Sequence, residues 1–298
     1  MEERSEPISR QHHRSEGAGT VAKMVMVLAL LAGAGYAWWH WESRTDMLEG
    51  EPTREQLAEL PQPMVSEPIS TAAAEPAEGA TPIEPAPDTQ GNPPLAATDS
   101  EGLGQAVTQW LGRERTLRFV DTEGLARRIV ATVDNLPRSQ AAVGLWPLHP
   151  VGGRMQVRST DDGGLTIAPE NAARYDAVVR FVVGLDVHEA GALYRRIYPV
   201  LQQTYEALGF PGKAFHERLV AVIDHLLKTP EPTEPLALKL VQVQGQVVSQ
   251  QPWLRYEFAD GELQSLSAGQ KILLRMGQGH TQRIKAQLRE VRAQITQP

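Results

Sequence analysis

The sequence contains no cysteine, and this absence excludes several classes of protein chemistry. The chain cannot form a disulfide, use a thiol nucleophile, bind a metal through thiolates or carry a lipid on a cysteine. A chain without thiols is also compatible with an oxidising compartment outside the cytoplasm. Long apolar runs are almost as scarce as cysteine, and the one that is present organises the rest of the chain.

That run is residues 24–41, which are strongly apolar and contain no Lys, Arg, Asp or Glu. As a helix rising about 1.5 Å per residue, the run would be roughly 27 Å long, close to the hydrocarbon thickness of a bilayer. We therefore expect a transmembrane helix that contacts membrane lipid, preceded by a cytoplasmic tail at residues 1–23. Trp38, Trp39 and Trp41 lie at the far end, where amphipathic rings settle at the membrane interface.

Four Lys or Arg residues precede the apolar run, against two in the stretch that follows, so the N-terminus is expected in the cytoplasm. The rest of the chain is then periplasmic, anchored in the inner membrane. A cleaved signal peptide is the alternative, because Ala32, Gly33 and Ala34 resemble a cleavage site, but the terminal tryptophans favour an anchor. Ala29, Gly33 and Ala37 are spaced for close helix pairing and suggest a homodimer, although small residues are common in membrane helices.

Residues 42–101 are rich in Pro, Glu and Ala, with thirteen acidic residues against two arginines. Such a composition cannot bury enough apolar surface to fold, and it predicts a disordered linker. The linker would span about 45 Å as a flexible coil and approach ~170 Å when fully extended. Its acidic repeats could bind a basic partner, but a solvated spacer is the favoured interpretation.

Residues 102–298 carry regularly spaced hydrophobic residues and predict one compact, mainly α-helical domain with one or two short β-hairpins. The clearest helical stripe occupies residues 214–228. Further helices are expected near residues 100–111, 122–133, 169–183, 186–208, 262–276 and 282–295. The turn sequence at residues 161–164 predicts one hairpin, and residues 240–248 with 253–258 predict a second.

The catalytic motifs that we tested are incomplete. His188 and Glu189 begin a zinc-protease motif, but Ala192 stands where its second histidine is required, and the chain has no G-x-S-x-G. We therefore expect no metal, no cofactor and, more readily than an enzyme, a non-catalytic protein. The alternative is a hydrolase of cell-wall glycan or peptide, whose carboxylates would come from Asp176, Glu189, Glu206 and Asp224.

A predicted helix places Tyr194, Tyr198 and Tyr205 close together, with Arg195 and Arg196 beside them. A tyrosine-lined surface suits sugar stacking or a peptide groove, and the arginines could clamp a carboxylate. Core packing of the tyrosines and solvation of the arginines are the simpler alternatives. These five residues are candidate partner-binding residues.

The last predicted helix places Lys285, Arg289 and Arg292 on one face, in a region with a net charge of +5. That face could bind anionic headgroups, cell-wall polymer or the acidic linker of the same chain. An ordinary solvated face is the favoured alternative. Nucleic acid is not an expected partner for a domain outside the cytoplasm.

Four segments carry a family resemblance: TVDNLP at residues 132–137, ENAARYDAVVRF at 170–181, the stretch at 193–227, and YEFADGELQSLSAGQKILLRMG at 256–277. In this order they resemble an uncharacterised bacterial membrane-anchored family catalogued as domain of unknown function three-thousand-fourteen. The resemblance implies a single-pass, envelope-facing protein of a Gram-negative bacterium, and it implies no activity or ligand. The layout of anchor, tether and helical domain, together with the incomplete catalytic motifs, leads us to expect a non-catalytic scaffold or adaptor that binds an envelope protein or cell-wall polymer.

Overall fold

The structure is a computed structural model that describes residues 83–141, 143–233, 235–241 and 256–297. The predicted cytoplasmic tail, the transmembrane helix and residues 42–82 of the linker lie outside these ranges. So do the membrane-interface tryptophans and the small residues of the proposed homodimer: Trp38, Trp39, Trp41, Ala29, Gly33 and Ala37. Among the described residues, no helix is both long and apolar enough to cross a membrane. The membrane span therefore stays a prediction.

The described part of the chain is mainly helical, which confirms the predicted mainly α-helical class of the domain. A 3-10 helix at Pro169–Tyr175 runs directly into the fourth α-helix. The α-helices are α1 (Ser100–Leu111), α2 (Arg113–Phe119), α3 (Leu125–Asn135), α4 (Asp176–Val183), α5 (Val187–Ala207), α6 (Phe215–Leu227), α7 (Gly261–Ser265), α8 (Ala268–Met276) and α9 (Gln278–Thr296).

The two predicted hairpins join into a single antiparallel sheet. Its strands are β1 (Val157–Ser159), β2 (Leu165–Ile167), β3 (Ala237–Leu240) and β4 (Tyr256–Phe258), and they lie in that order. The hairpins are joined where Leu165 pairs with Leu238 and Thr166 with Ala237. This pairing connects residues far apart in sequence, so local turn signals could not predict it. Strand β3 begins and ends earlier than expected, and residues 242–255 lie outside the described ranges.

Hydrophobic residues form two separate clusters. The larger one lies among α1, α3, α4, α5, α6 and α9, and its residues Ile197, Leu201 and Ile223 are fully buried. The smaller one lies beneath the sheet and consists of Leu238, Tyr256, Phe258 and Leu274, with partly buried neighbours. The helical stripe predicted in α6 therefore faces the larger cluster, as its periodicity requires.

Two helix boundaries depend on capping side chains. Asp99 begins α1 by accepting a hydrogen bond from the backbone N–H of Gly102 at 2.8 Å. The single helix expected over residues 262–276 is instead divided into α7 and α8. Ser267 starts α8 in a capping box with Gln270, whose side chain accepts from the backbone N–H of Ser267. A capping box inside a hydrophobic stripe thus restarts the helix without breaking the apolar pattern.

Residues 83–99, which composition assigned to the disordered linker, pack against the domain. We call this segment the strap. Ile83 and Leu95 contact the larger cluster, and Asp88 forms an ion pair with Arg196 of α5 at 3.1 Å. The backbone N–H of Leu95 also donates to the carbonyl of Arg196 at 3.0 Å. A few specific contacts order a segment whose average composition is that of a spacer.

Candidate functional site

A cleft of about 210 Å³ lies on the sheet side of the domain. One wall is the end of β2 and the start of the 3-10 helix, within residues 167–172. A second wall is formed by residues 230–233 and 235–236, and a third is the junction between α8 and α9, within residues 274–281. The cleft is thus built where three segments from distant parts of the sequence meet.

The loop at residues 230–236 contains three prolines, whose fixed φ angles stiffen this wall of the cleft. Lys285 of α9 clamps the start of the loop, because its Nζ donates to the carbonyl of Thr229 at 2.8 Å. The same ammonium group contacts the carboxylate of Glu231 at 2.5 Å. This hydrogen bond lowers the pKa of Glu231 below its ordinary value. The wall is therefore both rigid and fixed to α9.

Arg275, in the last turn of α8, is the arginine that lines the cleft. Its guanidinium lies 5.4 Å from the centroid of the Phe258 ring, a cation–π distance. Burial lowers the pKa of Arg275 from its usual value, and the neighbouring Tyr175 phenol opposes that shift. Burial likewise raises the pKa of Tyr175. At neutral pH the site therefore presents a positive guanidinium beside a neutral phenol.

Asn171 holds the elements around Arg275 in place, and its side chain is fully buried. Its Oδ1 accepts from the backbone N–H of Gln156 at 3.0 Å and from Arg174 at 3.1 Å. Its Nδ2 donates to the carbonyl of Arg275 at 2.8 Å. One amide thus connects the segment before β1, the 3-10 helix and α8. We call Asn171 and Arg275 the polar joint.

The cleft combines apolar walls with a lining arginine. Apolar walls that include Leu236 and Leu274 can cover an extended segment, and Arg275 can pair with a carboxylate or another anion. Neither Asn171 nor Arg275 is predicted as a site residue from the sequence. Asn171 lies within a helical pattern and Arg275 was one charge among several, so no local motif could have identified them.

The tyrosines expected at a surface are mostly core residues. Tyr194 is 2% exposed and Tyr205 is 3% exposed, whereas Tyr198 is half-buried. The Tyr194 hydroxyl lies 3.3 Å from Nδ1 of His216, and Tyr205 stacks on Phe210 with ring centroids 4.5 Å apart. Burial raises the pKa of Tyr194, Tyr198 and Tyr205. Because α5 packs against α1, α3, α6 and α9, its buried stripe is wide and includes these rings.

The two arginines of α5 differ in their surroundings. Arg196 does bind a carboxylate, but the carboxylate belongs to Asp88 of the strap. Its Nε also donates to the carbonyl of Pro93 at 3.2 Å. Although burial raises the pKa of Asp88, hydrogen bonds from Asn92 and the charge of Arg196 hold it below its ordinary value. Arg195 is partly buried and does not line the cleft.

The basic face expected on the last helix is largely neutralised. Lys285 is buried and paired with Glu231. Arg292 pairs with Asp224 through two hydrogen bonds, of 2.5 and 3.0 Å. Only Arg289 of the three is exposed. Two of these three charges therefore stabilise the fold, and together they do not form a cationic surface.

The four carboxylates of the hydrolase alternative lie on three helices, Asp176 on α4, Glu189 and Glu206 on α5 and Asp224 on α6, and three of them contact other side chains. Asp176 accepts from His280 at 3.0 Å, Glu206 accepts from Gln202 at 2.8 Å, and Asp224 pairs with Arg292. Glu189 lines a second, narrower pocket beside Arg196 and the strap. The contacts of the described residues give no pair among these four carboxylates. Within the same residues, no group of three or more His, Cys, Asp or Glu is placed to hold a metal ion.

Comparison with protein families identifies the family of this chain. A family model described as "Protein of unknown function (DUF3014)" matches residues 125–292, which extend from the start of α3 into α9. The matched region contains the sheet, the cleft and the polar joint, and it excludes the strap, α1 and α2. Neither the search of curated proteins nor the search of solved structures returned a match.

Proposed function

The chain belongs to the family described as a protein of unknown function (DUF3014), and we propose from its geometry that it is a non-catalytic adaptor. In this proposal residues 24–41 anchor the chain in the inner membrane and residues 42–82 act as a tether. The folded domain then lies in the periplasm and binds an envelope protein through the cleft. The setting rests on the sequence, and the binding role rests on the site.

The observation that carries the binding role is the presence of Arg275 in a preformed cleft with apolar walls. A guanidinium can form two parallel hydrogen bonds with one carboxylate, which gives orientation as well as affinity. The rigid proline loop and the polar joint reduce the entropy lost when a ligand is ordered against them. We therefore assign the cleft a carboxylate-bearing, partly apolar peptide segment.

The strap supports the role of tether. The strap joins the linker to the domain, and its contacts with α5 hold this junction in place. These contacts are the Asp88–Arg196 ion pair and the backbone hydrogen bond of Leu95. The remaining 41 residues of the linker would average about 35 Å as a flexible coil. A domain held at one end by such a tether can search a layer near the membrane for its partner.

Position-specific cross-linking tests the cleft. Gln278 is exposed and lines the cleft, so a photoreactive amino acid placed there in the full-length chain reports on an occupant. Gln203 of α5 is exposed, is absent from the cleft and serves as the matched control position. We expect a discrete cross-linked protein from position 278 that position 203 does not give. Identical products from the two positions would contradict the proposal.

A second variant fills the cleft without touching the polar joint. Proline-loop residue Thr233 is exposed at the rim, and Thr233→Trp would occupy the space that a ligand needs. We expect this variant to keep its unfolding free energy within about 0.5 kcal/mol, because surface substitutions seldom exceed that. The cross-link from position 278 should nevertheless be lost. Its persistence at full yield would argue for a binding surface elsewhere.

The membrane setting has its own test. Alkaline phosphatase fused after residue 298 should be active, because this reporter folds only outside the cytoplasm and the domain is expected there. A fusion that is inactive, with a cytoplasmic reporter active in its place, would overturn the orientation. The cross-linking result would stand independently of that outcome.

A further inference from the structure

The short helix α2 exposes a basic and apolar surface that the proposed function does not use. Arg113, Arg115 and Arg118 are exposed, and Leu117 is 68% exposed. Leu117 has the larger exposure of the two large hydrophobic residues, Leu117 and Leu240, that are exposed in the described part of the chain. We call these four residues of α2 the α2 ridge. A single exposed leucine is ordinary on a protein surface, but the three arginines beside it make this surface a candidate for binding an anionic partner.

The ends of α2 explain why the ridge faces solvent. Gly112 precedes the helix with a φ of 78°, a conformation that favours glycine. Thr116 is the one buried residue of the helix, and its hydroxyl donates to the carbonyl of Gly112 at 3.0 Å. At the other end Phe119 stacks on Phe181 with centroids 4.3 Å apart. The helix is therefore fixed on one side and presents the rest of its surface outward.

The ridge keeps its positive charge. Among the ion pairs formed by described residues, none includes Arg113, Arg115 or Arg118. Arg118 lies over the Phe119 ring at 5.2 Å, which leaves its charge unneutralised. Glu114 is the one acidic residue of α2, so the helix has a net charge of +2. By contrast, Lys285 and Arg292 of α9 are each paired with a carboxylate.

The ridge also lies at the end of the domain where the tether arrives. Asp88 and Gln90 of the strap border the same narrow pocket as Gln109 and Trp110, at the C-terminal end of α1. Helix α2 begins directly after α1, at Arg113. The strap, which continues residues 42–82 in sequence, therefore passes the C-terminal end of α1, where α2 begins, and the predicted membrane anchor lies at the other end of that tether.

We propose that the α2 ridge docks on an anionic phospholipid surface, with Leu117 among the headgroups and the arginines on their phosphates. This inference rests on the membrane tether of the proposed function. Each basic residue near an anionic membrane contributes little binding energy, so three arginines bind only weakly on their own. The tether raises the local concentration of the surface, and weak docking then suffices.

The acidic linker is the competing occupant. Residues 42–82 carry nine acidic residues against two arginines, and they could cover the ridge of their own chain. The linker, however, disperses those charges among prolines, whereas a headgroup layer offers phosphates together with an apolar layer for Leu117. The observations favour the lipid surface, and the test separates the two occupants.

The absence of cysteine makes the test direct. Leu117→Cys creates a single labelling site for an environment-sensitive dye in the full-length chain, reconstituted into phosphatidylcholine vesicles with or without phosphatidylglycerol. With phosphatidylglycerol we expect blue-shifted emission and at least about threefold less quenching by aqueous iodide, because the dye enters the interface. High salt should reverse both changes. The dye placed at Gln203→Cys, which is exposed on α5, should respond in neither vesicle.

A charge variant completes the design. The triple variant Arg113→Gln, Arg115→Gln and Arg118→Gln should abolish the fluorescence response. The variant Arg289→Gln, at an exposed position of α9, should leave that response intact. Equal quenching in both vesicles would overturn docking on anionic lipid. The dye could instead be protected from iodide in both vesicles. If that protection is lost when the acidic residues of 42–82 are replaced by Gln or Asn, the ridge binds the linker and not the lipid. If the chain does not float with either vesicle, the predicted membrane anchor is wrong. If it floats but the dye stays accessible to iodide, only the docking of the ridge is wrong.

Discussion

The helical core around α5 and α6 and the sheet side next to α8 bury their residues in different ways. In the core, Ile197, Leu201 and Ile223 are fully buried among other apolar side chains. On the sheet side, a small apolar cluster is joined to the rest of the domain through Asn171 and Arg275, and the cleft beside this joint stays open. Close packing fills the space between the side chains of the core, whereas a cleft lined by Arg275 stays open on the sheet side.

The comparison predicts that the largest loss of stability comes from the core. Leu201→Ala should lower the free energy of unfolding by about 2–5 kcal/mol, because it removes buried methyl groups and leaves a cavity. Leu240→Ala, at a 41% exposed position of β3, is the matched control and should change it by less than about 1 kcal/mol. Urea denaturation followed by circular dichroism measures both. Equal losses would mean that the two regions are packed alike.

A smaller and more local effect is expected at the polar joint. Asn171→Ala leaves the Gln156 N–H and the Arg275 carbonyl without this partner, and because both hydrogen bonds are only partly buried we expect a total loss of about 1–2 kcal/mol. Hydrogen exchange should accelerate in β1, β2 and the start of α8 before it does so in α5. Asn135→Ala, which removes a bond within its own helix, is the control. Uniform acceleration across the domain would contradict a separable sheet side.

Two glycines sharpen the contrast between filled and open space. A Cβ at Gly269 would lie 2.6 Å from the side chain of Leu226 and 3.1 Å from the carbonyl of Leu136, where α8 packs on α3 and α6. Gly269→Ala should therefore lower the unfolding free energy by about 1–3 kcal/mol. No atom lies within 4 Å of a Cβ at Gly279 of α9, so Gly279→Ala should raise it by roughly 0.5–1 kcal/mol. Thermal unfolding measures both changes, and equal signs would refute the packing assignment.

The smallest predicted effect is on pH dependence. His216 is 1% exposed in the core, and burial lowers its pKa below 6.5. The unfolded chain then binds more protons below that pH, so folding stability is full above about 6.5 and falls as the pH decreases. His216→Gln should reduce this slope in urea titrations between pH values of about 7.5 and 5.5, whereas exposed His188→Gln should not. An unchanged slope in the His216 variant would mean that other groups cause the pH dependence of folding stability.

The sequence predicted the helical core far better than the sheet side. The stripe of α6 and the Asp-Gly turn of the first hairpin are local patterns, and the structure contains both elements. The junction of the hairpins through Leu165 and Leu238 depends on a long-range pairing that no local pattern encodes. Helix α2 was not predicted, because a seven-residue segment with one buried residue has no apolar period.

The candidate site was less predictable than the fold for the same reason. Tyr194 and Tyr205 attracted attention through their residue type, but α5 is surrounded by helices and buries them. Arg275 is positioned by contacts with Phe258 and Asn171, which lie on other elements and far away in sequence. Ordering of the strap likewise depends on Asp88 and its partner on α5, which average composition cannot indicate.

Cross-linking from position 278 in chains that carry Arg275 or Arg275→Lys tests the central claim most directly. Lysine keeps the positive charge but cannot form the paired hydrogen bonds of a guanidinium with a carboxylate. We predict that the yield of the cross-linked partner falls at least about tenfold in the variant, while α5 and α6 keep their hydrogen-exchange protection. An unchanged yield from a folded Arg275→Lys chain would contradict the claim that this cleft recognises its partner through Arg275.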